Sequence, residues 1–283
     1  MVDDLHKYLA RLNLSMRKTQ SLICVGLDPV ISKMPISDIT KFNCEIINST
    51  LEHVCAYKPN LAFYESMGIE GLKHLEATVE YIRLYAPHAI IIGDGKRGDI
   101  ASTSAAYADA MFNQWGFDAT TVNAYGGLES LHPFLEYTDK CIYIWCRSSN
   151  PGALEFQDLI IKNRANKPVK LFEEIALSAS KIKSKAVVGI VAGASYPHEL
   201  LDLRSKAPDI QILSPGIVAQ GGDLKAVIRN GVDKSGRGLM INSSRSILYS
   251  SQSSTNYGRA ANIAVKSLKD DINKLLCENG FDW

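Results

Sequence analysis

The six cysteines of this 283-residue chain, Cys24, Cys44, Cys55, Cys141, Cys146 and Cys277, form no Cys-x-x-Cys pair. Scattered through apolar patterns, they read as reduced core residues and argue against a disulfide framework. An excess of one charge is also missing. Lys and Arg total 31 against 30 Asp and Glu, so no global field exists to gather nucleic acid or an acidic membrane, and any anion must be held locally. No apolar run approaches the roughly 18 residues that span a bilayer. The stretch Met1 to Leu14 is polar and charged with no apolar signal region, and the expectation is a cytoplasmic protein. The histidines, His6, His53, His74, His88, His132 and His198, lack the spacing of metal ligands, and no His-Glu-x-x-His, Walker A or Gly-x-Ser-x-Gly motif occurs. Neither a metal nor a serine nucleophile is expected. No linker rich in Pro, Gly or Ser divides the chain, so residues 1–283 are expected to form one domain.

What is present is a large apolar fraction, 46% of residues, arranged in short runs. Eight runs have the length and aliphatic content of strands buried on both faces: Leu22 to Leu27, Ala56 to Ala62, Ala89 to Gly93, Ala119 to Val122, Cys141 to Trp145, Ala186 to Val191, Ile210 to Leu213 and Leu239 to Ile241. Helical patterns alternate with them, over Asp38 to Val54, Gly68 to Tyr85, Ser102 to Trp115, Gly127 to Glu136, Leu171 to Lys181, Pro197 to Lys206, Asp223 to Asn230 and Tyr257 to Leu276. Eight strand-helix units in this length predict an α/β fold of the (β/α)8 TIM-barrel type, with a doubly wound open sheet as the alternative. Two segments break the alternation. Asn150 to Lys170 is a polar insertion, either a lid or a solvated excursion. Ser243 to Asn256 is rich in serine, and its Ser250 to Ser254 stretch has no reading from the pattern.

The third run carries the densest chemistry. Ile90-Ile91-Ile92 leads into Gly93-Asp94-Gly95-Lys96-Arg97-Gly98-Asp99-Ile100, which places an Asp-x-Lys-x-x-Asp triplet at the carboxyl end of a strand. With a strand period of two, Asp94 and Lys96 project to the same side and Asp99 follows at the turn into a helix. Charges after a buried strand face a ligand more often than charges elsewhere, because α/β sheets bind at the carboxyl ends of their strands. Gly93-x-Gly95-x-x-Gly98, with Asp118 about twenty residues on, imitates a dinucleotide fingerprint. The imitation fails on context: Asp94, Lys96 and Arg97 would crowd an approaching pyrophosphate, and Asp118 precedes the next apolar run instead of ending it.

Other strand ends supply complementary groups. The first run ends in Leu27-Asp28-Pro29 and the second closes on Lys58-Pro59-Asn60, so in a barrel mouth Lys58 would stand between Asp28 and Asp94 in an alternating array whose members keep one another charged. The fourth run leads to Asn123-Ala124-Tyr125-Gly126-Gly127, which is only suggestive. The fifth leads to Arg147-Ser148-Ser149-Asn150, whose hydroxyl and amide groups either read a polar ring or cap a turn. The seventh leads through Ser214-Pro215-Gly216 to Gln220-Gly221-Gly222-Asp223, and the eighth to Asn242-Ser243-Ser244-Arg245. Backbone N–H groups beside glycines and a forked guanidinium suit an anion, and the last two loops of such barrels typically hold a phosphate.

Taken together, Leu27-Asp28-Pro29, Lys58-Pro59-Asn60, Asp94-Gly95-Lys96-Arg97-Gly98-Asp99-Ile100 with Thr103, Pro215-Gly216 with Gln220-Gly221-Gly222, and Ser244-Arg245 resemble the orotidine 5′-phosphate decarboxylase family in its longer bacterial-type subfamily. The resemblance runs from Asp28 to Arg245. One departure is visible: where the family usually has Lys-Thr-Ser-Asn, this chain has Arg147-Ser148-Ser149-Asn150, which leaves Ser149 in place and puts the outer contacts of that loop in doubt. The resemblance implies decarboxylation of orotidine 5′-monophosphate to uridine 5′-monophosphate (UMP) without a cofactor. It implies a homodimer in which Asp99 and Thr103 reach into the partner's site. It places Asp94 against the substrate carboxylate, makes Lys96 the proton donor to C6 and has Lys58 bridge the aspartates. Asp28 and Thr103 would hold the ribose hydroxyls, Ser149 the pyrimidine edge, and Gln220 and Arg245, with Pro215 and Gly222 of the same loops, the phosphate. Two competing readings remain, a metal-dependent sugar-phosphate decarboxylase or aldolase on the same barrel, and a catalytically silent nucleotide-binding dimer.

Overall fold

A computed structural model describes residues 7–163, 165–217 and 223–283. Its eight parallel barrel strands are β1 (Ile23–Leu27), β2 (Ala56–Pro59), β3 (Ile90–Arg97), β4 (Ala119–Val122), β5 (Cys141–Arg147), β8 (Val187–Ala192), β9 (Gln211–Pro215) and β10 (Leu239–Ser243), with a separate antiparallel pair, β6 (Ile160–Lys162) and β7 (Pro168–Lys170), inside the 150–170 insertion. β1 pairs with β10 as well as with β2, Ile23 lying opposite Ile241, and this closes the barrel and removes the open-sheet alternative. All eight apolar runs fall on barrel strands because parallel strands covered by helices are buried on both faces. Ile90, Ile91 and Ile92, for example, are wholly inaccessible.

The ends of the runs are where the reading shifts. The second strand stops at Pro59, three residues short of the apolar run, because the Asn60 side chain accepts from Ala62 N–H at 3.2 Å and starts the helix Leu61–Glu65. β3 and β5 run on into polar sequence, to Arg97 and Arg147. Helices behave as the periodicity predicts, with Gly68–Tyr85 turning Gly71, Leu75, Thr78, Val79 and Ile82 inward. The pattern over Ser102 to Trp115 continues past Asp109 as a wider π turn, and that over Gly127 to Glu136 splits into a 3-10 turn, Leu128–Leu131, and one α-helical turn, His132–Leu135.

The floor of the barrel is sealed by a helix absent from the periodicity reading, Lys7–Thr19. Tyr8, Leu12 and Met16 face the core, the Tyr8 hydroxyl meets that of Tyr143 at 3.0 Å, and Ser15 Oγ donates to Cys55 O at 2.9 Å. Arg11 reaches Asp118 at 2.7 Å. Asp118 also takes Arg83 at 2.9 Å and the Ile91 N–H at 2.8 Å, so the residue that imitated a ribose-binding carboxylate is a floor strut. Before β9 and β10, the buried guanidinium of Arg204 donates to the carbonyls of Pro208, Ile210, Gly231 and Gly238. It ties two helix ends to the entries of β9 and β10. Among the described residues, no helix is long and apolar enough to cross a membrane.

Burial alone would push the Asp118 carboxyl up, but Arg83, Arg11 and the Ile91 N–H outweigh it and hold it below the usual carboxylate range. A depressed folded-state pKa stabilises the fold fully above the unfolded value, near 4, and the contribution is lost as pH falls through the folded value. Asp118→Asn is therefore expected to cost about 3 kcal/mol near neutrality, the scale of breaking a buried pair. Urea unfolding at neutral and acid pH checks this: the gap between the two proteins narrows in acid, and equal stability at neutrality would remove the strut.

Candidate active site

At the carboxyl ends of the strands lies a cavity of about 520 Å³, the size of a small-ligand site. Its centre is Asp94. The residue is 7% exposed, and its carboxylate accepts three hydrogen bonds, from Lys58 Nζ at 2.7 Å, Lys96 Nζ at 2.6 Å and Thr121 Oγ1 at 2.8 Å. Burial raises a carboxyl's pKa, but the adjoining Lys58 and Lys96 charges and their hydrogen bonds win here, holding Asp94 far below its ordinary value. Burial likewise works against the Lys58 ammonium, which Asp94 and then Asp28 hold raised. Of the expected array, Lys58, Asp94 and Lys96 are in direct contact, with Lys58 buried and Lys96 about one-third exposed toward the cavity, while no ion pair joins Asp28 to Lys58 among the described residues.

Local backbone geometry produces this convergence. β3 pairs regularly with β4 up to Gly93, then its register shifts before Arg97, a bulge of the kind that re-aims side chains beside active sites. Lys96 sits inside it at φ +45°, a left-handed conformation that costs a residue with a Cβ on the order of 1 kcal/mol. Its N–H donates to Thr121 Oγ1 at 2.9 Å, so one threonine holds both the Lys96 backbone and the Asp94 carboxylate. Thr121 is absent from the sequence candidates because a threonine in a strand reads as an ordinary β-former. The glycines of the false fingerprint serve packing: a Cβ at Gly93 would stand 2.3 Å from the Phe117 ring, and one at Gly98 2.4 Å from the Asn123 carbonyl.

Asp28 lines the same cavity. Burial pushes its carboxyl up while Lys58 pulls it down, and the net shift is upward. Its Oδ1 is buried without a hydrogen-bond partner among the described residues. The turn that carries it is clamped from the last strand's loop. Tyr249 Oη donates to Asp28 O and accepts from Val30 N–H, each at 2.7 Å, and Gln252 Nε2 donates to Lys33 O at 3.1 Å. This accounts for part of the serine-rich segment after β10: it straps the loop after β1.

Ser149, Pro215 and Arg245 also line the cavity, with Ser148 beside them. Arg147 does not. It turns away from the mouth and is 1% exposed, paired with Glu199 and Asp158, while Asn150 accepts from Ser148 Oγ at 2.5 Å. On the apolar wall stands Trp145, the one exposed residue of β5, with Val191, Leu213 and Ile217; an aromatic in a strand run reads as core, and its facing was not legible. Asp99 and Thr103 are exposed on the turn and first helical turn after β3, outside their own chain's cavity. Gln220 and Gly222 lie outside the described residues. Among those described, no group of three or more His, Cys, Asp or Glu has the arrangement of a metal site.

Residues 21–260 match the model of the family described as Orotidine 5′-phosphate decarboxylase / HUMPS. The chain is 42% identical over 271 residues to an orotidine 5′-phosphate decarboxylase of Thermomicrobium roseum, covering 94% of each protein. It is also 42% identical over 268 residues to one of Dehalococcoides mccartyi, covering 94% of this chain and 97% of that protein. Among solved structures, the OMP decarboxylase of Leishmania donovani superimposes with a TM-score of 0.82 at 33% identity, covering 95% of this chain and 98% of that one.

Proposed function

The chain belongs to the orotidine 5′-phosphate decarboxylase family, and from that premise we propose that it converts orotidine 5′-monophosphate to UMP and CO2 in de novo pyrimidine synthesis through the charges gathered on Asp94. The observation that carries the mechanism is the pairing of Asp94: a carboxylate held ionised by Lys58 and Lys96, with the Lys96 ammonium turned to the cavity. Breaking the C6–carboxylate bond releases CO2 and leaves its electron pair in the ring plane, where the ring's π system cannot delocalise it. Lys96, bonded to Asp94 through one N–H, has others for the reacting carbon: its charge stabilises the developing carbanion and its proton completes UMP. A preorganised cation in a site that excludes water contributes on the order of 3 kcal/mol, far more than in water. The remainder is assigned to phosphate binding energy spent on closing and drying the site.

The other roles are the ones the family resemblance implies. Asp28, on the cavity wall, takes a ribose hydroxyl; Ser149 takes the pyrimidine edge; Pro215, Gln220, Gly222 and Arg245 take the phosphate. Asp99 and Thr103 act in the neighbouring site of a homodimer, a reading supported by their exposure outside their own cavity. We read residues 1–283 as one barrel domain with its insertion at about 150–170. The cytoplasm is the compartment we assign, on the strength of six cysteines without a disulfide.

The reaction is tested by adding orotidine 5′-monophosphate to purified protein with chelator present and following absorbance near the orotate band. A change to the UMP spectrum is expected. No change, with or without added magnesium, would overturn the decarboxylase reading. The shared site has its own test. Mixing inactive Asp94→Ala and Asp99→Ala proteins creates hybrids with one intact site, and about a quarter of wild-type activity is expected at random exchange. Hybrids shown to form yet lacking activity would rule the shared site out.

A further inference from the structure

We propose that Arg147 is a positioning residue for the substrate-facing turn Ser148–Ser149, and that the 150–170 insertion is accordingly a brace for that turn and not a lid over the cavity. The proposal rests on the reading of Ser149 as a substrate contact. Arg147 ends β5, and its guanidinium grips Glu199 with two hydrogen bonds, Nε to Oε2 at 2.6 Å and Nη2 to Oε1 at 3.0 Å, while Nη1 stands 3.1 Å from Asp158 Oδ1. Lys170 Nζ bridges the same two anions at 3.4 and 3.7 Å. The rings of Phe172 and Tyr196 lie 5.1 and 4.4 Å from the guanidinium carbon. Two cations and two anions thus close a neutral cluster around a buried arginine. It joins the end of β5 to the insertion at Asp158 and Lys170, to the loop after β8 at Tyr196, and to the helix Pro197–Lys206 at Glu199. A planar fork can serve two carboxylates and two aromatic faces at once, which a lysine cannot.

The next two residues inherit that rigidity. Ser148 N–H donates to Gln157 Oε1 at 2.8 Å, and Gln157 ends the short helix Leu154–Gln157 of the insertion. Arg147 O accepts from Gly193 N–H at 2.9 Å, and Ser149 packs so closely on Gly193 that a Cβ there would stand 2.8 Å from Ser149 Cβ. Ser148 and Ser149 are therefore held from the insertion side and from the β8 side together. No described residue of 150–170 lines the cavity. The insertion touches the site through this turn.

The test compares full-length wild type with Arg147→Met, Arg147→Lys and Ser149→Ala, reading kcat and KM for orotidine 5′-monophosphate, and amide hydrogen exchange of the insertion with and without UMP. Arg147→Met is expected to keep a cooperative thermal transition yet raise KM about tenfold, the scale of a misplaced contact, with kcat changed less. Arg147→Lys should recover part of that loss, and Arg147→Met should speed exchange in the insertion. In wild type, UMP should leave exchange of the insertion unchanged. If Arg147→Met does not fold, Asp158→Asn, which removes the insertion's carboxylate from the cluster and leaves the Arg147–Glu199 grip in place, is expected to raise KM and speed exchange in the same way. Wild-type KM in folded Arg147→Met, or in Asp158→Asn where it stands in, would overturn the positioning role while an impaired Ser149→Ala leaves the Ser149 reading standing. An unimpaired Ser149→Ala would overturn that reading and the proposal with it. Strong protection of the insertion by UMP would identify a lid.

Discussion

Lys96→Ala is expected to lower kcat by a factor of a thousand or more while leaving UMP binding measurable, because the change removes both the charge and the proton that C6 needs but touches neither the phosphate nor the ribose contacts. Asp94 stays paired with Lys58 and Thr121, so the cavity keeps its shape. Backbone strain could confuse the result, since position 96 is left-handed in the native fold and alanine inherits that strain. Lys96→Gly resolves this: glycine adopts φ +45° freely, so it should be as inactive as the alanine variant and more stable by up to about 1 kcal/mol. Single-turnover kinetics and a UMP titration on both variants decide the matter. Retention of more than a few per cent of the wild-type rate in either would remove Lys96 as proton donor.

The second large effect is expected at Arg245, exposed at the start of the short helix Arg245–Leu248 and on the cavity's edge. Two charge-assisted hydrogen bonds to a phosphate, each about 1.5–3 kcal/mol, put the loss of kcat/KM for the nucleotide in Arg245→Ala at about a hundredfold or more. Binding energy drawn from the phosphate is used to close the site, so kcat should fall along with the rise in KM. Orotidine lacking the phosphate has nothing for Arg245 to grip and should be turned over equally, if slowly, by both proteins. An equal loss on nucleotide and nucleoside would remove the phosphate assignment.

The barrel and the Asp94–Lys96 pair were legible in the sequence for a common reason: both depend on short spacings. A parallel strand buried on two faces writes itself as a continuous aliphatic run, and Asp-x-Lys-x-x-Asp at its end is contiguous chemistry. What escaped depends on distant partners. The helix Lys7–Thr19 is fixed by Cys55, Asp118 and Tyr143, none of which its own pattern announces. Thr121 matters through a register shift between β3 and β4, and a shift leaves no composition signal. Arg147 read as a departure at the rim of a substrate loop, whereas Glu199 and Asp158, 52 and 11 residues on by numbering, turn it inward.

The clasp of Tyr249 on the Asp28–Val30 turn joins residues 221 positions apart. It sits across the seam where the first strand of the barrel meets the last. A nucleotide that rests its ribose on Asp28 and its phosphate on Arg245 would straddle that seam. Neither an amino-terminal nor a carboxyl-terminal half of the chain could offer both footholds, however well its own strands paired. Substrate affinity in this protein is thus a gauge of ring closure: a nascent or partly unfolded chain that has not joined its two ends has no place for the ligand, and bound nucleotide in turn pins the joint where a barrel would first come apart.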